Sequence, residues 1–197
     1  IVNASLFVRR AAQARYPIVD VIEPRGGKFR AAIRALRPYQ WVKNLLTVVP
    51  LLASGAFTQP VGWPPTIEIF GAFCAIASSI YILNDMSDLA VDRRHPRKSK
   101  RPFASGVLSI AEGLALLPFL AVLGIFLGWL SGALTALAIY AVLSLAYNFK
   151  LKERPLVDIF VLAALYTVRL WGGERQAAMP FPCGCSAFPV LSSSVWL

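Results

Sequence analysis

The chain has 197 residues, of which 57% are hydrophobic and only 15% are charged, and its mean hydropathy is +0.60. A soluble domain of this length would carry about a quarter charged residues, so the composition indicates a membrane protein and argues against a soluble one. The formal net charge is +10. Because the basic residues lie between apolar stretches, we expect them to meet anionic lipid headgroups and phosphate-bearing ligands. We expect no nucleic-acid partner.

The first 33 residues differ from the rest of the chain. They contain a basic stretch and then a segment with proline and glycine, "EPRGGKFRAA", which is typical of a linker. We interpret residues 1–33 as the remnant of an upstream domain with its linker. The segment 34–173 is then the domain that carries the function.

Five apolar stretches follow, and each is near the roughly 17–25 residues that cross a bilayer as an α-helix. The sequence therefore predicts an all-α fold, a polytopic bundle of transmembrane helices. Glycines and alanines in the third and fourth stretches suit close packing of helices within a membrane. The predicted spans are residues 41–57, 66–83, 113–130, 133–149 and 156–173.

Basic residues are concentrated in alternate connections between these spans. Of the 20 Lys and Arg residues, nine lie in the segment through Lys43, six in residues 84–112 and three in residues 148–155. By the positive-inside rule, we expect the N-terminus and the 84–112 loop to face the cytoplasm. The protein would then be a multi-pass protein of the cell inner (plasma) membrane, and five spans would place the tail outside.

Residues 174–197 contain clusters of Pro, Cys and Ser and lack the helical period of the preceding spans. A sixth span would be expected at this point. We therefore treat 174–197 as an atypical tail and hypothesise that the reading frame shifts, or is misassembled, near Gly173. The alternative is a genuine short tail, and resequencing the source DNA would decide between the two.

The connection after the second span begins with a stripe of polar residues. Asn84, Asp85, Asp88 and Asp92 follow a spacing of i, i+1, i+4 and i+8, which places them within about 100° of one helix face. Carboxylates on one stripe repel one another. Mg²⁺ would relieve this repulsion, because it binds through one or two carboxylates together with substrate phosphates.

The basic run that follows this stripe, "RRHPRKSKRP", supplies hydrogen-bond donors for phosphate oxygens. Acids that hold a metal beside bases that hold phosphate predict a diphosphate site at the membrane surface. A solvated, positive-inside loop would explain the arginines equally well. It would not explain the aspartates and the asparagine on one helix face.

Two charged residues lie inside the fifth predicted span. Asp158 and Arg169 are eleven residues apart, about three helical turns, so they share roughly one face. Charges within a membrane are by default functional or paired. We therefore expect both to line a cavity and include Asp158 among the substrate-binding candidates.

The stretch "NDMSDLAVDRRHP" resembles the N-D-x-x-D-x-x-x-D motif of the UbiA superfamily of intramembrane prenyltransferases. Three flanking stretches strengthen this resemblance. Together they are similar to the subgroup that contains decaprenyl-phosphate phosphoribosyltransferase and its relatives fused to a haloacid-dehalogenase-like domain. The flanking stretches are "LRPYQWVKNLL", "HPRKSKRPFASG" and "YNFKLKERPLVDIFVLAALYTVRL".

The resemblance implies nine transmembrane helices around a central cavity that opens to lipid, of which about five would be present here. It implies that Asp85, Asp88 and Asp92 are catalytic and that, with Asn84, they hold the Mg²⁺ that bridges the diphosphate. It also implies further substrate-binding residues. These are Lys43, Asn44, Asn84, Arg93, Lys98, Arg101, Tyr147 and Lys150.

The expected function is therefore Mg-dependent UbiA-type prenyl transfer, with a prenyl diphosphate or a polyprenyl phosphate as substrate and membrane lipids as surroundings. One alternative is phosphoribosyl transfer from phosphoribosyl diphosphate to a polyprenyl phosphate. Another is an inactive truncated membrane protein, because the family's second aspartate motif would lie beyond the end of this sequence. A transporter would show internal repeats, and none is convincing.

Overall fold

The structure is a computed structural model, and it describes residues 10–12, 14, 27–149 and 155–177. The regular elements of this part are all helical, which confirms the predicted all-α class. The α-helices are α1 (Lys28–Leu36), α2 (Val49–Ala53), α3 (Trp63–Ser87), α4 (Leu89–Arg94), α5 (Ile110–Leu130), α6 (Leu134–Phe149) and α7 (Pro155–Ala177), and a 3-10 segment (Pro38–Val48) joins α1 to α2.

Two helices of the described part are long and apolar enough to cross a membrane, judged by length and composition. They are Pro60–Ser87 and Ile110–Leu130, and a third apolar helix, Leu134–Asn148, is shorter. These helices contain or overlap three of the five predicted spans. The fifth predicted span also lies within a helix, α7, although that helix carries charged residues.

The predicted first span, residues 41–57, is not a continuous α-helix in the structure. A 3-10 segment occupies its first half, and the short helix α2 ends before Gly55, which adopts the left-handed conformation with φ of 73°. Pro50, at the second position of α2, cannot donate the hydrogen bond that an uninterrupted helix would need there. The prediction of one continuous span over residues 41–57, which rested on apolar composition, is therefore wrong.

Helix α3 lies at the centre of the described bundle, with α5 on one side and α6 and α7 on others. Its Ile69 and Phe73 are fully buried and pack with Tyr140 of α6 and Leu165 of α7. Glycine allows α5 to approach closely, because a Cβ at Gly124 would lie 2.7 Å from the side chain of Ile76. Small residues at helix contacts are typical of membrane bundles.

Helix α1 packs against the C-terminal end of α3 and the start of α5. Ala31 and Ala35 of α1 share a buried cluster with Ile82 of α3. At the start of α5, Ser109 and Glu112 form a capping box, which satisfies free backbone N–H groups. Lys28 donates to the same glutamate at 2.8 Å, so α1 lies beside the end of α3 that carries Asp85.

Helix α7 approaches the 3-10 segment very closely. A Cβ at Gly173 would lie only 2.2 Å from the backbone oxygen of Thr47, so only glycine allows this approach. The contact fixes the 3-10 segment, with Asn44, against α7, with Arg169.

Candidate functional site

The aspartate stripe lies at a break between two helices. Helix α3 ends at Ser87, Asp88 has φ of −87° and ψ of 8°, and α4 starts at the next residue. Asp85 and Asp92 are 2% and 1% exposed, whereas Asn84 and Asp88 are half-buried. The sequence predicted one continuous face, but the break at Asp88 leaves two of the four side chains buried and the other two partly accessible.

Arg101 joins the two buried carboxylates. Its Nη1 donates to Oδ1 of Asp85 at 3.0 Å and to Oδ2 of Asp92 at 2.6 Å. Arg37 Nη2 donates to the same Oδ1 of Asp85, and Nζ of Lys98 lies 4.0 Å from Oδ1 of Asp92. We call these five residues the aspartate–arginine cluster, and in it three cations face two carboxylates.

The contacts of these carboxylates differ from those of carboxylates that coordinate Mg²⁺. Arginine N–H groups donate to oxygens of both buried carboxylates. Of the oxygens of these two carboxylates, Oδ1 of Asp92 is buried without a hydrogen-bond partner among the described residues. Within residues 27–149 and 155–177, no three His, Cys, Asp or Glu side chains are grouped so that they could hold a metal ion. The side chains as placed fit an arginine-bridged pair of carboxylates, and magnesium at Asn84, Asp85, Asp88 and Asp92 stays a prediction.

Arg37 was not predicted as a site residue. It caps the end of α1 with φ of 53° and precedes Pro38, and this left-handed turn carries its side chain to Asp85. The separation of 48 residues along the chain explains the omission. Its only signal in the sequence is its place in the stretch "LRPYQ", where an arginine precedes a proline.

A cavity of about 230 Å³ lies between the 3-10 segment, α3, α6 and α7. It adjoins the aspartate–arginine cluster through Tyr81, whose ring lines the cavity and also lies 5.1 Å from the Arg37 guanidinium. Its wall mixes apolar and polar side chains. The polar ones are Gln40, Lys43, Tyr81, Tyr140, Ser144, Tyr147, Asn148, Tyr166 and Arg169.

Arg169 is 5% exposed and is held by neutral groups from three elements. Its Nε donates to Oδ1 of Asn44 at 2.9 Å, its Nη1 to the backbone oxygen of Leu165 at 2.7 Å, and its Nη2 to the hydroxyl of Tyr140 at 3.2 Å. The guanidinium carbon also lies 4.7 Å from the centre of the Tyr140 ring and 5.7 Å from that of Tyr166. These contacts fix the position of a positive charge in the cavity wall.

The predicted residues divide between these two places. Lys43 and Tyr147 line the cavity, and Asn44 is buried against Arg169. The carboxylate of Asp158 lies close to Tyr147, and its buried Oδ1 has no hydrogen-bond partner among the described residues. Asp158 therefore lies next to a lining residue and is not itself one of the lining residues.

Four predicted residues belong to neither place. Asn84 and Asp88 are half-buried, Arg93 is exposed on α4, and Lys150 lies outside the described residues. The sequence reading also missed Tyr81 and Tyr140. Aromatic residues within apolar spans carry no signal that separates cavity walls from the core.

Comparison with known proteins agrees with this architecture. Residues 45–196 match the sequence profile of the UbiA prenyltransferase family. The chain belongs to this family. It is therefore a helical membrane protein from a family of transferases, as the motif around Asp85 predicted.

Three relatives illustrate the similarity. The chain is 40% identical over 168 residues to the nodulation protein NoeC of Azorhizobium caulinodans, covering 83% of this chain and 54% of that protein. It is 36% identical to the decaprenyl-phosphate phosphoribosyltransferase of Mycolicibacterium smegmatis (75% of this chain, 48% of the relative). It is 39% identical to that of Corynebacterium glutamicum (75% and 46%). The chain spans about half the length of the curated relatives it matches.

Proposed function

We propose that the protein carrying this chain is a membrane transferase that moves a phosphoribosyl group from phosphoribosyl diphosphate to a polyprenyl phosphate. The observation that carries the proposal is a pair of adjoining cationic places, the aspartate–arginine cluster and the cavity wall at Arg169. A reaction between two anionic substrates needs positive charge at both substrate-binding places. Transfer to a neutral acceptor needs it at only one.

The aspartate–arginine cluster is suited to the donor. Arg37, Lys98 and Arg101 contribute three positive charges against the two of Asp85 and Asp92, which leaves a net positive place beside half-buried Asp88. Guanidinium groups bind phosphate oxygens with two parallel hydrogen bonds. The two aspartates hold Arg101 in place for such contacts.

The names of the relatives support the same transferred group and the same class of acceptor. Two of them, from different organisms, are named decaprenyl-phosphate phosphoribosyltransferase, at 36% and 39% identity. A decaprenyl phosphate is one member of the polyprenyl phosphate class. The length of the isoprenoid chain used by the present protein is left open.

The reaction breaks one bond and forms another. A phosphate oxygen of the polyprenyl phosphate donates an electron pair to C1 of the ribose, and the bond from C1 to the diphosphate breaks. The diphosphate leaves with the electron pair of the C1–O bond that breaks, and its growing charge is stabilised by fixed cations in a site that excludes water. In this chain Arg37 and Arg101 are placed to provide that stabilisation.

Magnesium dependence is part of the proposal on the strength of the N-D-x-x-D-x-x-x-D motif alone. The arginine-bridged aspartates do not themselves form a metal site, so we assign no step to the metal. Chelation with EDTA, followed by addition of Mg²⁺, tests this requirement. Loss of transfer with EDTA and recovery with Mg²⁺ is expected, and full activity in EDTA would exclude it.

The same proposal places the protein in the cell inner (plasma) membrane with its 84–112 loop in the cytoplasm. Helix α5 presents exposed apolar side chains to its surroundings, among them Phe119, Val122 and Trp129, and such a face suits contact with lipid tails. The N-terminal helix α1 lies at the same end as Asp85 and Arg101. Basic residues from both segments are thus gathered at one membrane surface.

Prenyl transfer is the second candidate, and the family to which the chain belongs favours it. In that reaction the carbon–oxygen bond of a prenyl diphosphate ionises toward an allylic cation, and an acceptor then attacks that cation. The aspartate–arginine cluster would hold the diphosphate in the same way. A membrane protein without activity is the third outcome.

The test uses the complete gene product that carries this chain, purified in detergent with Mg²⁺. It is offered labelled phosphoribosyl diphosphate with a polyprenyl phosphate, and separately a prenyl diphosphate with a panel of aromatic acceptors. We expect a labelled lipid from the first pair. A product from the second pair only would establish prenyl transfer instead, and no product from either pair would overturn the proposed function.

A further inference from the structure

We infer that the cavity beside Arg169 holds the phosphate group of the lipid acceptor, with Arg169 and Lys43 as its cationic contacts. This inference rests on the proposed function, which supplies the chemical class of the acceptor. It adds the place where the acceptor phosphate binds, the residues that bind it, and the direction from which it meets the donor.

The first observation is a buried charge without a counterion. Among the residues that the structure describes, no carboxylate forms an ion pair with Arg169, and the three groups that accept its hydrogen bonds are neutral oxygens. Burying a charged group without a counterion costs free energy, and charged residues within membrane helices usually mark a ligand pathway. An anionic ligand in the cavity would supply the missing negative charge.

The second observation is that the guanidinium still has donors to offer. It carries five N–H groups, and its contacts with Asn44, Leu165 and Tyr140 use one on each nitrogen. One N–H group remains on each terminal nitrogen. Since guanidinium groups favour paired hydrogen bonds to phosphate oxygens, the side chain is both held in position and still able to bind.

The third observation concerns the other walls of the cavity. Lys43 of the 3-10 segment lines it and supplies a second cation, and the side-chain amide of Gln40 lines it as well. Ile80 and Leu162 provide apolar wall on the other elements. A cavity of about 230 Å³ with cations and apolar wall matches a phosphate monoester and the first part of its isoprenoid chain.

The fourth observation is the position of this cavity relative to the aspartate–arginine cluster, the proposed donor site. Tyr81 belongs to both, since it lines the cavity and its ring lies 5.1 Å from the Arg37 guanidinium. Arg37 in turn contacts Asp85. An acceptor phosphate at Arg169 would therefore meet a diphosphate donor across Tyr81, which is the adjacency that direct transfer needs.

The ligand chemistry is a tetrahedral phosphate, which a lipid or free phosphate could supply. The test therefore measures binding of three probes to the complete gene product in detergent by calorimetry: farnesyl phosphate, farnesol and inorganic phosphate. We expect farnesyl phosphate to bind about tenfold or more tightly than either of the others, because it alone has both charge-assisted and apolar contacts. Equal binding of inorganic phosphate would overturn the assignment to a lipid.

Two variants locate the binding. Arg169→Met and Lys43→Gln should each weaken farnesyl phosphate binding, Arg169→Met by about tenfold or more, as expected for the loss of charge-assisted hydrogen bonds. Binding of phosphoribosyl diphosphate should change by less than about twofold, which a general folding defect would not allow. Lys43 is exposed, so Lys43→Gln remains informative even if Arg169→Met fails to fold. Arg30→Gln, on α1 and exposed, is the control.

The outcomes separate this inference from the proposed function. Transfer in the wild type with unchanged acceptor affinity in both variants would overturn the inference and leave the function intact. Farnesyl phosphate binding that depends on Arg169 and Lys43, without transfer from any donor, would support the inference and overturn the function. Absence of farnesyl phosphate binding by the wild type would overturn the inference directly.

Discussion

Arg101 is the side chain on which the aspartate–arginine cluster depends, because one of its nitrogens contacts both Asp85 and Asp92. Asp85 has a second partner in Arg37. Among the described residues, Asp92 has only Arg101 within hydrogen-bonding distance, with Lys98 at 4.0 Å. The two carboxylates are exposed by only 2% and 1%, so contacts with these cations offset part of the cost of burying them. The side chain of Arg101 is 26% exposed, so water screens part of this interaction.

Arg101→Gln should therefore destabilise the protein by about 1–3 kcal/mol, since it leaves Asp92 buried without a good hydrogen bond. The double variant with Asp92→Asn should recover at least about 0.5 kcal/mol relative to the sum of the single changes. Thermal unfolding in detergent measures both, with Arg94→Gln as the control. Strictly additive losses would show that Arg101 and Asp92 do not interact.

At the scale of elements, the contact between α7 and the 3-10 segment positions the cavity. Gly173 and Thr47 form its tightest point, and Arg169 binds Asn44 one helical turn away. This contact replaces a regular first span, because Pro50 and Gly55 interrupt the apolar stretch. The irregular segment places Lys43 on the wall of the cavity and Asn44 against Arg169. Backbone that departs from an α-helix is tolerated within a membrane protein where it is buried in protein or lines a cavity.

Gly173→Ala should destabilise the protein by about 1–3 kcal/mol, since a backbone oxygen blocks the added methyl group and the helix must shift. Gly71→Ala is the matched control in another helix. Its Cβ would meet only a methyl group of Leu127 at 3.2 Å, and alanine favours the helix. The midpoint of thermal unfolding in detergent measures both, and equal midpoints for the two variants would contradict the close contact.

Much of this fold could be predicted from the sequence, because apolar length and the stripe of aspartates are local patterns. The apolar stretches 66–83 and 113–130 became α3 and α5, and Asp85, Asp92 and Arg101 meet as a cluster. Other features depend on residues that are distant in sequence. Arg37 reaches Asp85 across 48 residues, and Arg169 reaches Asn44 across 125, so no local spacing could have indicated either contact.

At the scale of the whole molecule, the predicted orientation puts the aspartate–arginine cluster at the cytoplasmic surface, where a soluble donor such as phosphoribosyl diphosphate is available. The cavity beside it, lined by α3, α6 and α7, is the place proposed for the lipid acceptor. Water-soluble and lipid substrates would then meet at the membrane boundary. That geometry requires the 84–112 loop to be cytoplasmic.

Ser99→Cys tests this orientation in intact cells, because Ser99 lies in the basic turn that follows α4. We expect a membrane-impermeant thiol reagent to leave the variant unlabelled until the cells are permeabilised. The protein without the substitution gives the background from Cys74, which is buried, and from the cysteines of the tail. Additional labelling from outside would reverse the orientation.

The most direct test of the central claim is the rate of transfer from phosphoribosyl diphosphate to a polyprenyl phosphate in Asp85→Asn. Asp85 contacts both Arg37 and Arg101. Replacing its carboxylate should therefore release both guanidinium groups from their positions in the aspartate–arginine cluster, the proposed donor site. We predict that kcat/KM falls by about a hundredfold or more, the scale of losing a positioned electrostatic group, while Arg30→Gln, on the exposed side of α1, stays near the wild type. A folded Asp85→Asn variant with wild-type kcat/KM would contradict the account.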